Sequence, residues 1–454
     1  MIKEDNYSGS IKEMFSIALP MVVSNACETV MTFTDRLFLS KLGMEEMSAA
    51  MVGGLSAFFM MTFFIGLMGY GTAMVAQYLG KGELNKCSVV MTQTVVIALV
   101  AYPILLACKP LMHSMFIKTG ISEGQLAHQF IYFDILLYAT IISFGRVALS
   151  NFFSGIGKTR VVMLASFIAM FVNVIASYVL IFGRFGFPAM GVKGAAFGSI
   201  IGSVCALLIL LTAYFRKSII KDFSILDSFR IDIGIIKKMF RFGTPSGIEF
   251  FMALFSFTLL ISVFHAHNPV TAAASTIMFN WDHVSFVPLM GLEIGVTSLV
   301  GRYVGAGRYD IVEKTVWSGL KLGWAVSGCV LIAFFFFPGV LVDVFKPAES
   351  GTIFEQARPL AVFMVRMASI YVLLQSVMLV YMGALKASGD TLWSMIINVS
   401  FSWFMYFVLY FLLSVLNVSA ETAWIALVII FSPLPVILYL RFRSGRWKSL
   451  SVVS

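Results

Sequence analysis

Two acids lie in the first long apolar segment of the chain, residues 14–35, which reads MFSIALPMVVSNACETVMTFTD. Glu28 and Asp35 are seven residues apart, so an α-helix places them about 20° from each other on one face. Ser24 and Thr32 extend the same polar stripe. An ionisable group in hydrocarbon costs about 2.5 to 3.5 kcal/mol even on mild scales, and it persists mainly where it lines a cavity or serves a function. The two carboxylates are therefore candidates for binding a proton or a desolvated Na⁺.

The chain contains an internal repeat with an offset of about 225 residues. Pro20 coincides with Pro245, and Gly82 coincides with Gly307 in a short glycine-containing segment that predicts a tight turn. Each proline removes a backbone hydrogen bond from its helix and gives that helix a place to bend. We therefore predict a duplicated architecture with hinges at the two prolines.

The acids are not repeated with the prolines. The positions that correspond to the first pair are occupied by Ala253 and Leu260, whereas Glu249 corresponds to Ser24. The two halves thus share their framework but differ in charge, and the acids of the first segment belong to the N-terminal half alone.

The composition excludes an ordinary water-soluble protein. Of the 454 residues, 59% are hydrophobic and only 12% are charged, and apolar stretches of about 20 residues, the length that crosses a bilayer, recur along the chain. We predict an all-α integral membrane protein with twelve transmembrane helices, six in each half, and an uncleaved first span. The predicted spans cover residues 15–38, 51–75, 88–110, 129–153, 161–183, 194–215, 243–264, 271–299, 315–341, 359–383, 391–415 and 421–440.

Lysine and arginine are distributed unevenly between the connecting segments. If the N-terminus is cytoplasmic, 21 of the 32 lysines and arginines lie on the cytoplasmic side, 8 lie on the other side and 3 lie within spans. This positive-inside pattern accounts for the net charge of +9 without any binding of nucleic acid. We therefore predict a multi-pass protein of the cell membrane, inner or plasma, with both termini in the cytoplasm.

The longest connection between spans, residues 216–241, separates the two copies and reads as a cytoplasmic linker. It divides the chain into an N-terminal six-helix lobe at 1–215 and a C-terminal six-helix lobe at 242–454, which ends in a short cytoplasmic tail. An even number of spans per lobe gives both copies the same orientation. We therefore expect a pseudo-twofold axis along the membrane normal and a cavity between the lobes.

Further ionisable residues lie within the predicted spans. Asp282 and Glu293 are eleven residues apart, three helical turns, and so share a face of the eighth span. We expect these two acids and Glu249 to attract the positive charge of a substrate. The charged residues for which pairing between helices, or extension to a membrane surface, is the simpler expectation are Asp134, Arg146, Lys321 and Arg366.

Three longer motifs resemble those of one transporter family. They are LPMVVSNACETVMTFTD at 19–35, NVIASYVLIFGRFGFPAMGVKGAAFGS at 173–199 and LVGRYVGAGR at 299–308. They are similar to motifs of the multidrug and toxic compound extrusion (MATE) family of cation-coupled exporters, and the similarity covers essentially the whole chain. Its most specific part is residues 181–196, where the family has a hairpin between the fifth and sixth spans. The resemblance implies export by alternating access, driven by a Na⁺ or H⁺ gradient.

The resemblance also implies roles for individual residues. Asp35 matches the acid of the family's first helix, Asn173 matches an asparagine of its fifth helix, and Glu28 stands where the family often has glutamine. Ser177 stands where the family often has an aspartate, four residues after the asparagine. We therefore expect a coupling-ion site in the N-terminal lobe formed by these four residues. If the ion is Na⁺ rather than H⁺, Asp35 and Asn173 are its expected ligands.

The C-terminal lobe departs further from the family pattern. Gln375 replaces an acid of the tenth helix that Na⁺-coupled members carry, and Glu249 lies four residues after Pro245, where the family usually has its glutamate eight residues after the proline. We therefore assign Glu249, Asp282, Glu293 and Gln375 to substrate binding. With Ser177 replacing an aspartate, the N-terminal ligand set is also thin for a metal cation. Because Glu28 would add a like charge near Asp35, H⁺ is favoured over Na⁺.

Three classes of function are compatible with a polytopic membrane protein of this kind. The acids favour an antiporter that exports amphipathic, cationic small molecules, whereas a flippase for lipid-linked or polar lipid substrates would require cationic side chains for phosphate. A membrane enzyme or receptor would require a catalytic constellation or an appended soluble domain, and neither is found in the sequence. We predict a monomeric transporter in the lipid bilayer that is not an enzyme and uses no cofactor.

Overall fold

The computed structural model describes residues 8–118, 121–346, 352–450 and 452–453, and these residues form an all-α protein, as the composition predicts. The helices of the first half are α1 (Ile11–Ser40), α2 (Met44–Gly69), α3 (Gly71–Lys81), α4 (Leu84–Ala107), α5 (Lys109–Ile117), α6 (Glu123–Tyr138), α7 (Thr140–Gly155), α8 (Thr159–Phe182), α9 (Val192–Tyr214) and α10 (Lys217–Phe223). Those of the second half are α11 (Ile233–His267), α12 (Pro269–Gly305), α13 (Tyr309–Phe336), α14 (Pro338–Asp343), α15 (Thr352–Ala387), α16 (Thr391–Tyr410), α17 (Ala420–Phe431) and α18 (Pro433–Arg443).

The helices provide the predicted number of membrane spans. Eleven helical segments of the described chain are long and apolar enough to cross a membrane, and α6 with α7 adds a twelfth when this bent pair is counted as one span. The fourth predicted span, 129–153, is therefore not a straight helix, because its two parts meet at an angle of 46°. At the bend, the carbonyl of Tyr138 accepts a hydrogen bond from the hydroxyl of Tyr102 at 3.0 Å. This bond replaces part of the helical hydrogen bonding that the bend removes.

Tight glycine turns end α3 and α12, as the repeat predicts. Gly82 has φ of 82° and Gly307 has φ of 69°, in the left-handed region that favours glycine. In each turn, the backbone N–H after the glycine bonds to the carbonyl five residues earlier, at 3.0 and 2.9 Å. These are helix C-terminal caps, and their spacing of 225 residues equals the repeat offset.

A row of glycines brings α9 close to α8. Gly194, Gly198 and Gly202 recur at every fourth residue and so lie on one side of α9. A Cβ atom added to Gly202 would lie 2.9 Å from the Cβ of Asn173, and one added to Gly198 would lie 2.9 Å from the Cα of Ser177. Because these three positions of α9 carry no side chain, the backbone of α9 lies close to two predicted site residues of α8.

The segment between α8 and α9 is a hairpin, as the family motif implies. The N–H of Met190 donates to the carbonyl of Leu180 at 2.9 Å, and the N–H of Gly191 donates to the carbonyl of Ile181 at 3.3 Å. These bonds fix the position of α9 along α8.

The predicted linker, residues 216–241, is folded against α4. It contains α10, a short 3₁₀ turn and the start of α11. The side chain of Gln93 donates to the carbonyl of Arg230 at 2.7 Å and accepts from the N–H of Asp232 at 3.2 Å. The connection between the two copies is therefore an ordered part of the first half.

In the second half, α12, α13 and α15 form an apolar core that includes the start of α1. Ala18 is fully buried there, and a Cβ atom added to Gly295 of α12 would lie 2.8 Å from the Cβ of Ala18. Just before α1, the N–H of Gly9 donates to the hydroxyl of Tyr303 at 3.3 Å, and the carbonyl of Gly9 accepts from Ser318 at 2.6 Å. The first turns of α1 are thus packed with helices of the second half of the chain.

Packing divides the described chain into two compact units. One comprises residues 8–18, 249–450 and 452, and the other comprises 19–248 and 453. The division falls within α1 and α11, close to Pro20 and Pro245, although both helices continue through the proline without interruption. The lobes predicted at 1–215 and 242–454 follow the repeat, whereas the compact units follow packing. The two divisions therefore assign the start of α1 and the start of α11 differently.

Gly198→Ala should destabilise the protein, because the added methyl group would collide with the backbone of Ser177, which cannot rotate away. We expect a loss of about 1 to 3 kcal/mol, measured as a lower thermal unfolding midpoint of the purified protein in detergent. Gly328→Ala in α13 is the matched control, because nothing lies within 4 Å of its added Cβ. An unchanged midpoint for Gly198→Ala would contradict the close packing of α8 and α9.

Candidate functional site

Asp35 is buried, with 4% of its surface exposed. Ser199 of α9 donates a hydrogen bond to its Oδ2 at 2.7 Å, and Asn173 of α8 donates to the same oxygen at 3.4 Å. The other carboxylate oxygen, Oδ1, is also buried and receives no hydrogen bond from the described residues, and the same holds for Oδ1 of Asn173. The carboxylate can therefore take up one proton or contribute to binding a small cation.

The structure brings together three of the residues predicted for the coupling site. Asn173 and Ser177 are in contact, because Nδ2 of Asn173 lies 3.4 Å from Oγ of Ser177, and the hydroxyl of Ser177 is also within hydrogen-bonding reach of the Asp35 carboxylate. Ser199 was not among the predicted residues, although its hydroxyl is the shortest contact of Asp35. It directly follows Gly198, which touches Ser177, so the glycine row together with the family motif could have identified it.

Glu28, the fourth predicted coupling residue, forms an ion pair with Arg146 of α7. A second guanidinium nitrogen lies 3.3 Å from the other carboxylate oxygen, so the arrangement is a two-point one. The side chain of Glu28 is 38% exposed and that of Arg146 is 23% exposed. Glu28 and Asp35 thus have different partners, and the charge of Glu28 is compensated by Arg146. The pairing predicted for Arg146 is confirmed.

Asp134 is also paired, as predicted. Its two carboxylate oxygens lie 2.8 Å from Lys109 and 2.8 Å from His113, both on α5. Lys321 and Arg366 are exposed, in line with the expectation that their charges extend to a surface.

A second buried acid, Glu249, lies in a charged cluster of the second half. Lys386 of α15 lies between Glu249 and Glu293, with its Nζ at 3.3 Å and 3.1 Å from an oxygen of each. Asn398 of α16 donates to Oε1 of Glu249 at 3.1 Å, and Ser394 approaches Oε2 at 3.5 Å. Lys386 was not predicted for the site, because it lies just beyond the tenth predicted span, 359–383, among the lysines and arginines counted on the cytoplasmic side.

The two buried acids are held by equivalent asparagines. Asn398 follows Asn173 by 225 residues, so the two asparagines occupy the same position of the repeat. The acids do not, because Glu249 corresponds to Ser24, eleven residues before Asp35. The repeat offset, applied to Asn173, could therefore have identified Asn398 from the sequence.

Asp282 and Gln375 form a separate cluster. The hydroxyl of Tyr371 donates to Oδ1 of Asp282 at 2.8 Å, and Gln375 lies within hydrogen-bonding reach of the same carboxylate. Asp282 and Glu293 both contact α15, as their spacing predicts. The four residues predicted for substrate binding are therefore divided, because Glu249 and Glu293 share one cluster and Asp282 and Gln375 share the other.

The fold is that of known membrane transporters. It matches the crystal structure of MATE in complex with MaL6 with a TM-score of 0.87 at 19% identity, covering 97% of each chain. It matches the outward-facing conformation of a multidrug resistance MATE family transporter of the MOP superfamily with a TM-score of 0.86, also at 19% identity and 97% coverage of each chain. The chain therefore has the fold of these membrane proteins along nearly its whole length.

Two bacterial proteins with the name "Probable multidrug resistance protein NorM" are similar along their length. The protein from Thermotoga maritima is 27% identical over 98% of this chain and 94% of its own. The protein from Bacillus cereus is 24% identical over 94% of each.

The MatE family model matches residues 20–179 and 245–412, which together make up most of the chain. The chain therefore belongs to the MATE family, and it is a transporter and not an enzyme. The resemblance seen in the motifs is confirmed. The two matched segments also begin 225 residues apart, in agreement with the internal repeat.

Arg146→Gln should destabilise the protein more than the double change Arg146→Gln with Glu28→Gln. The single change leaves a partly buried carboxylate without its partner, whereas the double change removes both charges. Thermal unfolding midpoints of the wild type, both single variants and the double variant form a complete mutant cycle. Losses that simply add in the double variant would show that the ion pair contributes nothing to stability.

Proposed function

We propose that the protein is a cation-coupled antiporter that exports amphipathic, cationic small molecules by alternating access. The observation that supports this most directly is Asp35, a buried acid with one carboxylate oxygen bound by donors and the other without a partner. A carboxylate in this state can gain and lose a positive ion during each cycle. The names of the bacterial relatives support drug-like substrates.

Asp35 is the proposed binding residue for the coupling ion, and Asn173, Ser177 and Ser199 are its positioning residues. Hydroxyl and amide donors stabilise the charged carboxylate while the ion is absent. We propose H⁺ as the ion, because a proton needs only the one unpartnered oxygen of Asp35, whereas a metal cation needs several oxygen ligands. Na⁺ bound by Asp35 and Asn173 is the alternative, in which the unpartnered Oδ1 of each residue would be a ligand.

Glu28 is the remaining residue proposed for coupling, and its ion pair with Arg146 gives it an indirect role. The pair fixes the middle of α1 against α7, between the coupling acid and the proline. Glu28 then helps to hold Asp35 in position without itself exchanging the ion.

Pro20 and Pro245 are the proposed hinges. When Asp35 is neutralised, its hydrogen bonds to α8 and α9 become weaker, and α1 can bend where Pro20 leaves a backbone carbonyl without its helical partner. The start of α1 remains packed in the core of α12, α13 and α15, so bending at Pro20 moves the part of the helix that carries Asp35. Coupling then consists of an exchange in which uptake of one positive ion at Asp35 accompanies release of a cationic substrate.

Glu249, Asp282, Glu293 and Gln375 are the proposed substrate-binding residues. Three of them are acids that lie within membrane-spanning helices, and they attract cations across a medium of low dielectric constant. The same acids repel phosphate groups, and they therefore favour an exporter of cations over a flippase for lipid-linked substrates.

The proposed location is the cell membrane, with both termini in the cytoplasm. The positive-inside distribution of lysine and arginine supports this orientation. We propose that the transporter acts as a monomer.

Asp35→Asn should abolish gradient-driven export, because asparagine keeps the size of the side chain but can neither bind a proton nor compensate a cation. Export is measured as loss of a fluorescent cationic substrate from proteoliposomes. Glu28→Gln is the comparison on the same helix, and its effect should be milder because the family often has glutamine at this position. Unchanged export by Asp35→Asn would remove Asp35 from the mechanism, and an equal loss in both variants would restore Glu28 as a coupling acid.

The coupling ion can be identified with purified protein in liposomes. A pH gradient imposed without Na⁺ should drive transport, and a Na⁺ gradient at equal pH should not. Transport that requires Na⁺ and ignores the pH gradient would contradict proton coupling and favour the alternative site at Asp35 and Asn173.

A further inference from the structure

Lys386 is held in place by the close approach of α12 and α15. Gly383 lies one turn before Lys386, and a Cβ atom there would lie 2.9 Å from the backbone oxygen of Glu293. The hydroxyl of Thr297 donates to the carbonyl of Gly383 at 3.3 Å at the same level. The position of the ammonium group between two carboxylates is therefore set by helix packing as well as by attraction.

The charges of this cluster do not cancel. Among the described residues, the charged groups that act on Lys386 are Glu249 and Glu293, and Glu249 also contacts the neutral side chains Asn398 and Ser394. Two carboxylates and one ammonium leave one negative charge in excess when all three groups are ionised. The cluster can therefore accommodate one additional positive charge.

The cluster is partly exposed. Glu249 is buried, but the side chains of Lys386 and Glu293 are 21% and 18% exposed. These two side chains are therefore partly accessible from outside the cluster. Lys386 is thus positioned to meet a ligand as well as to pair with the acids.

We propose that Lys386 is a built-in counter-cation that makes this site select singly charged substrates over doubly charged ones. The inference rests on the proposed role of Glu249 and Glu293 in substrate binding. A single positive charge neutralises the excess charge of the cluster. A second one is left without a partner and is repelled by the ammonium group. Without Lys386 the two carboxylates would match a dication instead.

The test compares the binding of two ligands of matched chemistry. The monocation is an alkyl trimethylammonium ion, and the dication carries the same trimethylammonium group at both ends of the alkyl chain. Equilibrium dissociation constants are measured on purified protein without an ion gradient, so that a failure of coupling does not affect the result. The quantity of interest is the ratio of the two constants in each variant.

In Lys386→Gln, the affinity for the dication relative to the monocation should rise by at least about tenfold. A change of only about 1.4 kcal/mol in the charge interaction corresponds to this factor. Lys386→Arg retains the positive charge and should keep the ratio of the wild type. Lys386→Gln combined with Glu293→Gln again leaves one excess negative charge, and it should return the ratio to the wild-type value. This pattern follows net charge and is not expected from a purely structural role of Lys386.

Lys386→Gln leaves two carboxylates without their cation, and this variant can fail to fold. The comparison is then made in the Glu293→Gln background, where the cluster is neutral with Lys386 and has one excess negative charge without it. Removing the lysine there should strengthen binding of the monocation by about tenfold. No gain in that background would overturn the proposal.

The outcomes separate this inference from the proposed function. If Glu249→Gln weakens monocation binding but the ratio is unchanged in Lys386→Gln, the acids bind substrate and Lys386 does not select its charge. If the wild type binds neither ligand, or Glu249→Gln has no effect, the proposed substrate site itself is wrong.

Discussion

A carboxylate inside an apolar helix must be given hydrogen-bond donors or a counter-charge, and this requirement governs how the neighbouring helices pack. Around Asp35 the donors include Ser199 and Asn173, which come from two different helices. They can reach one carboxylate because the glycine row of α9 lets its backbone approach α8. The glycines, the polar side chains and the acid are therefore parts of one arrangement. A change in any of them alters the environment of the charge.

The two copies of the repeat meet this requirement in different ways. Each uses an asparagine at the same repeat position, but Asp35 is otherwise surrounded by small neutral donors, whereas Glu249 has Lys386 as a charged partner. Neutral donors do not compensate the negative charge of the acid. Binding of one positive ion therefore changes the electrostatic potential around Asp35 strongly. A lysine partner compensates much of the charge in advance. The duplicated framework thus supports two sites with different electrostatic properties.

Much of the architecture could be predicted from the sequence because it depends on local features. Span length, the repeat offset and the glycine turns all arise from composition and spacing within short segments, and the twelve spans agree with this expectation. The partners of the acids could not be predicted in the same way. A helical repeat of 3.6 residues places Glu28 and Asp35 on one face, but it does not say which helix that face meets.

The contacts that decide the role of each acid join distant parts of the chain. Glu28 meets Arg146 across 118 residues, and Asp35 meets Ser199 across 164. Lys386 was misjudged for the same reason, since its position at the end of a span says nothing about the two acids beside it. The glycine row and the exact repeat of Asn173 at Asn398 carried usable information about these contacts. To use either of these two signals, one has to compare the sequences of different helices with each other.

The start of α1 has a consequence for the biosynthesis of the protein. Gly9 and Tyr303 are hydrogen-bonded although they are 294 residues apart in the chain. At about 5 to 20 residues per second, the ribosome needs roughly 15 to 60 s to synthesise the intervening chain. For that time the buried face of residues 8–18 lacks the neighbours on α12, α13 and α15 that cover it in the folded protein. The start of α1 therefore completes its packing only after much of the second half has been synthesised, and a nascent chain that stops after the first half lacks the helices on which this segment packs.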